Sequence, residues 1–116
     1  MQVQLRRIAH SRSGDKGNIS NIAVIAWHPD FYEILRGQIT PEVVAARLAG
    51  VVKGRVTRYE VPGLHALNFV CEEALGGGVS RNLCLDNYGK SLSAALLDLP
   101  VDLPDALRAH LRGPER

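Results

Sequence analysis

Residues 19–27 read Ile19-Ser20-Asn21-Ile22-Ala23-Val24-Ile25-Ala26-Trp27, polar at the start and continuously apolar from Ile22 onward. A run of this kind suits a central β-strand covered on both faces. The chain upstream supports a sheet. Val3–Ala9 interleaves aliphatic residues with Arg6 and Arg7, the pattern of a strand with one wet face. Between the two lies Ser11–Asn18, which sets Arg12 and Lys16 among Ser, Gly, Asp and Asn without periodicity and reads as a loop.

Downstream the signals alternate. Asp30–Arg36 reads as a short helix capped by Asp30 and ended by Gly37. Thr40-Pro41-Glu42 offers a capping hydroxyl, a proline at the first helical position and an acid at the positive end of the dipole, so a helix should run to about Leu48. Its apolar positions are Val43, Val44, Ala46 and Leu48, with Arg47 facing water. Arg55–Val61 alternates like a strand between Gly54 and Pro62-Gly63. Leu64, Leu67, Cys71, Ala74 and Leu75 recur at helical spacing, which predicts an amphipathic helix over 64–75 ended by Gly76-Gly77-Gly78. Leu83–Leu85 reads as a short strand, Asn87-Tyr88-Gly89 as a turn, Ser91–Leu99 as a helix and Pro104–Leu111 as a last helix opened by its proline. This order predicts an α/β chain of the α+β type, a two-layer sandwich whose four-stranded mixed sheet carries helices stacked on one side. One domain over 1–112 with a frayed tail at 113–116 is expected.

Composition narrows the function classes. The 116 residues are 46% hydrophobic and 22% charged, an ordinary globular balance. A formal net charge of +2 is too small for the basic face that nucleic-acid binding requires. Nine of the fourteen Lys and Arg nevertheless lie in residues 1–60, which favours a small anion as ligand. No apolar stretch is long enough to span a bilayer, and the N-terminus lacks a signal-peptide pattern, so no membrane contact and a cytoplasmic location are expected. Cys71 and Cys84 cannot make a disulfide framework and read as buried core thiols.

The polar segment Ser11-Arg12-Ser13-Gly14-Asp15-Lys16-Gly17-Asn18 is the first candidate site. Two glycines three apart free the backbone to turn N–H groups toward one point, a concavity suited to an oxyanion, while Arg12 and Lys16 add charge and Ser11 and Ser13 hydroxyl donors. A solvated connection with local Asp and Asn turns is the alternative, and the residues alone do not choose. The S-x-x-K pattern of Ser13–Lys16 needs a helix that its glycines oppose. The GXXG pattern of Gly14–Gly17 leads into a strand, where a nucleic-acid clamp would join two helices.

The second candidate is Gly76-Gly77-Gly78-Val79-Ser80-Arg81, where a close backbone approach to a ligand would justify three glycines beside a hydroxyl and a cation. A flexible helix cap beside a surface arginine is the plainer reading. His10 stands beside the first candidate as donor or general base, with a half-buried strand-end histidine as the alternative. The four histidines and two cysteines lack ligand spacing, so neither a metal nor a cofactor is expected. Arg12, Lys16 and Arg81 are expected to converge on one anion, with His10 at the wall of the site.

Three blocks carry a resemblance that spans most of the chain. They are Ile8–Asn18 followed by Asn21–Ala26, then Tyr59–Val70 with its Pro62-Gly63-Leu64-His65-Ala66-Leu67-Asn68-Phe69 core, then Gly76–Arg81 followed by Leu85-Asp86 and Gly89-Lys90. Together they resemble the C-terminal domain of the acyclic terpene utilisation AtuA family. The resemblance implies a ferredoxin-like fold and a place in bacterial breakdown of acyclic terpenes or related acyl-CoA compounds. In longer members the domain follows a much larger one, so a larger partner chain of the AtuA N-terminal type is expected. The reading is an accessory subunit that binds an anionic ligand, an acyl-CoA foremost. The alternative is a small enzyme acting on an acyl-CoA by proton transfer or hydration, with His10 or Asp15 as base, and the sequence leaves catalysis open. A homo-oligomer, dimer or higher, is expected because a sheet covered on one side leaves a face needing a partner.

Overall fold

The computed structural model describes residues 1–16, 19–49, 52–73 and 93–111, with backbone alone at Asp15 and Lys16. Ile19–Ala26 (β3) is a strand, and it pairs on both sides: with Ala9–Lys16 (β2) and with Ala66–Cys71 (β5). Val56–Val61 (β4) completes the order β2-β3-β5-β4. All three ladders are antiparallel, where a mixed sheet is expected from sequence. A second, two-stranded sheet joins Gln2–Gln4 (β1) to Pro100–Asp102 (β6), tying the two ends of the described chain together. The terminal ammonium of Met1 extends that pairing by donating to the Leu103 carbonyl at 2.9 Å.

One face of the main sheet makes the core. Ile22 and Val24 of β3 stand beside Phe69 and Leu67 of β5, and all four are fully buried. Tyr32–Gln38 (α1), Pro41–Arg47 (α2) and the helical residues 93–97 (α3) cover this face through Leu35, Val44 and Leu96, also fully buried. Among the described residues, no helix covers the other face. Ala23 and Ile25 of β3 are half-buried and Tyr59 of β4 is 55% exposed, so the apolar run 22–27 is covered on one face and not on both. Thr40 caps α2 as predicted, its Oγ1 accepting from Val43 N at 3.1 Å. The 3-10 turn Pro29–Phe31 that leads into α1 is capped by His28, whose Nδ1 accepts from Asp30 N, and Phe31 begins α1 without a side-chain cap, so Asp30 is capped and is not itself the cap.

Four further expectations are overturned. The strand expected over Val3–Ala9 is broken by a 3-10 turn at Leu5–Arg7, because β1 and β2 belong to different sheets and the chain must change direction between them. Arg7 is buried there, while Arg6 remains exposed and pairs with Asp98. The loop expected at Ser11–Asn18 is strand as far as Lys16, where β2 pairs residue by residue with β3. Backbone pairing depends little on side-chain type, so an edge strand tolerates Ser, Gly and Asp that propensity assigns to a loop. The helix expected over 64–75 is β5 from Ala66 to Cys71, preceded by a 3-10 turn at Pro62–Leu64 and by His65 at φ 52°. Leu67, Phe69 and Cys71 alternate inward with period two, and Leu64, counted on the apolar helix face, is 67% exposed. Finally, the last helix is a 3-10 segment, Asp105–His110, and β6 was not expected at all. The predicted strand Leu83–Leu85 and turn Asn87-Tyr88-Gly89 lie outside the described residues.

Candidate functional site

Strand alternation, absent from a loop reading, divides the first candidate segment. Ser11 and Ser13 pair with Val24 and Ile22 and therefore share the helix-covered face. His10 and Arg12 pair with Ile25 and Ala23 and belong to the open face. The expected arrangement, with His10 in the wall of the site that holds the serines, is thus not what β2 builds. Gly14 has nothing within 4 Å of the place a Cβ would occupy, so no close approach demands glycine there. Asp15 and Lys16 end the strand opposite Ser20 and Ile19. Gly17, Asn18, Gly76, Gly77, Gly78, Ser80 and Arg81 lie outside the described residues.

What the fold does assemble is a groove of about 480 Å³ at the β2 edge. Ser11, Arg12 and Ser13 border it from the strand, and Ser93, Ala94 and Leu97 border it from α3. The hydroxyls of Ser11 and Ser93 are both buried and neither has a hydrogen-bond partner. Ser93 is 9% exposed overall. A buried hydroxyl without a partner costs on the order of 1–3 kcal/mol, and this groove is bordered by two of them. Arg12 is exposed at the rim and makes no ion pair among the described residues. Sequence reading missed Ser93, Ala94 and Leu97, because nothing local marks them and only the packing of α3 against the β2 edge brings them to Ser11.

His10 occupies the open face, its ring tilted against Trp27 with centroids 4.3 Å apart. Burial and then the nearby Arg12 charge hold its pKa below the ordinary histidine value. The imidazole is therefore neutral at neutral pH and fit to accept a proton, though on the far side of β2 from the orphan hydroxyls. Cys71 is fully buried in the core, and burial pushes its thiol up to about 11. Its chemistry is that of a packed side chain, as the sequence suggests. No helix among the described residues is long and apolar enough to cross a membrane.

Comparison with protein families agrees with the motifs. The family model of the AtuA ferredoxin-like domain matches residues 3–102, which is most of the chain, and the chain belongs to that family. The fold is accordingly ferredoxin-like, with its four-stranded sheet and its helices on one side. No curated protein and no solved structure matches it.

Proposed function

We propose that this AtuA ferredoxin-like domain is an accessory binding module, which holds a small anionic ligand in the groove between β2 and α3 and works beside a larger partner chain. The observation that carries this reading is the pair of buried, unpartnered hydroxyls of Ser11 and Ser93 on opposite walls of one groove. A carboxylate or phosphate oxygen accepts from both, and the Arg12 cation at the rim favours negative charge. An acyl-CoA fits the chemistry, since it carries phosphates, and the family resemblance points to the same ligand class. The larger partner is the counterpart of the domain that precedes this one in longer family members.

The open sheet face supports self-association as well. Ala23 and Ile25 sit there half-buried, with Ile19 39% and Trp27 38% exposed beside them. A second copy laid on this face would remove them from water, and a dimer mass by light scattering at micromolar concentration is the expected result; a monomer overturns it.

Isothermal titration with coenzyme A, acetyl-CoA and inorganic phosphate tests the ligand reading. Binding of at least one is expected, weakened several-fold in Ser93→Ala and in Ser11→Ala, the range for a hydrogen bond of about 0.5–1.5 kcal/mol. Arg81→Ala, in the second glycine-rich segment, is expected to weaken binding by about 1.5–3 kcal/mol if its cation also meets the anion. No binding of any of the three, or both serine variants binding as the parent does, overturns the proposal. The small-enzyme alternative with His10 as base receives less support, because His10 and the hydroxyl pair stand on opposite faces of the sheet; Asp15, its other candidate base, shares the strand parity of Ser11 and Ser13.

A further inference from the structure

No metal is expected from residue spacing, yet the fold brings together three donors that the sequence keeps apart. His28 and Asp30 lie in the connection from β3 to α1, and His110 ends the 3-10 segment Asp105–His110. We infer that His28, Asp30 and His110 form a site for a first-row divalent metal ion with a preference for imidazole, such as Zn²⁺ or Ni²⁺.

The ligand atoms of the three residues all lie within 4.8 Å of one another. Asp30 Oδ2 stands 3.8 Å from His28 Nδ1 and 4.0 Å from His110 Nε2. Metal–nitrogen and metal–oxygen bonds of about 2.0–2.2 Å in tetrahedral geometry separate neighbouring donors by about 3.3 Å, so each pair with Asp30 closes by less than about 1 Å and the two imidazole nitrogens by at most about 1.5 Å. The side chains are partly exposed, 35% at His28, 58% at Asp30 and 36% at His110, and have room to make it.

The tautomer is suitable, and metal binding requires the two stacked rings to splay until both lone pairs point at one ion. The backbone N–H of Asp30 donates to His28 Nδ1 at 3.1 Å, so this nitrogen carries a lone pair and not a proton. Water takes over that exposed N–H when a metal claims the lone pair. The two imidazoles stack with centroids 3.7 Å apart and planes 17° from parallel, and the fully buried Phe31 meets both rings edge-on. Phe31 thus supports both rings from the core side. Two nitrogens and one oxygen favour Zn²⁺, Ni²⁺ or Cu²⁺ over Mg²⁺ or Ca²⁺, which prefer all-oxygen ligands. Three protein ligands leave coordination positions for water. Bound metal would clip the C-terminal segment to the β3–α1 corner.

The test uses the full chain without an affinity tag. Titration calorimetry with ZnCl₂ and with NiCl₂ is expected to show one site per chain and a raised melting temperature, with MgCl₂ silent. Ni²⁺ is expected to quench the fluorescence of Trp27, which adjoins His28 and is the only tryptophan in the chain. His110→Ala and Asp30→Asn should each weaken Zn²⁺ binding at least tenfold, while His65→Asn leaves it unchanged. Asp30→Asn alters only an exposed side chain and keeps the test valid should His110→Ala fail to fold. Absence of Zn²⁺ and Ni²⁺ binding, or binding that survives Asp30→Asn undiminished, overturns the assignment.

Discussion

Arg58 on β4 donates from Nη1 to the backbone carbonyl of Arg36 at 2.7 Å, and the same nitrogen reaches the Ile39 carbonyl at 3.0 Å. These carbonyls belong to the last turn of α1 and the residue after it, which have no partner within the helix. A cation from the sheet therefore closes the negative end of the helix dipole and fixes α1 against β4. The neighbouring ion pair to Glu60 is partly exposed and contributes little. Arg58→Met, which keeps the stem, is expected to destabilise by about 1.5–3 kcal/mol, read as a lower urea midpoint at unchanged slope. An unchanged midpoint would show that water serves these carbonyls equally well.

Gly54 and Gly37 predict opposite outcomes for one substitution. A Cβ at position 54 would lie 2.7 Å from the Glu72 carbonyl oxygen, a group held in place because it accepts from Gly54 N at 3.0 Å. Gly54→Ala must push the two strand ends apart and should cost about 1–3 kcal/mol. At position 37, within α1, a Cβ meets nothing within 4 Å, and Gly37→Ala should stabilise by about 0.5–1 kcal/mol through the helix preference of alanine. Thermal melts of the two variants beside the parent check both signs.

His10 makes stability depend on acidity. Its pKa lies below 6.5 in the folded protein, whereas in the unfolded chain it returns to about that value. Below pH 6.5 the unfolded state binds the proton first, so stability falls as pH drops from 6.5 through the folded pKa and this contribution is level above it. NMR titration should give His10 a pKa below the ordinary histidine value, raised in Arg12→Ala. His10→Gln should flatten the acid side of the stability profile, and parallel profiles for parent and variant would contradict the assignment.

Cys71 is expected to resist alkylation. With its thiol fully buried and pushed up to about 11, almost no thiolate exists at pH 8. In a Cys84→Ser protein, a thiol reagent at that pH should react at the rate of unfolding, and fast reaction of the native protein would show that the core opens around β5.

The sequence by itself determined the parts whose cause is local. The Thr40-Pro41 helix start, the apolar run of β3 and the alternation of β4 each fix a backbone state from neighbouring residues, and the three family motifs carried the fold class. Tertiary structure decided the rest. Ala66–Cys71 carries apolar residues that satisfy a helical and a period-two reading alike, and it is a strand because β3 and β4 supply ladders on both its sides. Ser11–Lys16 is strand because β3 supplies a ladder along its one paired side, and its alternation sends Ser11 and His10 to opposite faces, a division invisible while the segment reads as a loop. The meeting of Ser11 with Ser93, and of His28 with His110, spans some eighty residues in each case. Local propensity carries no term for such distances; they are set when burial of Ile22, Val24, Leu67 and Phe69 packs the helices onto the sheet.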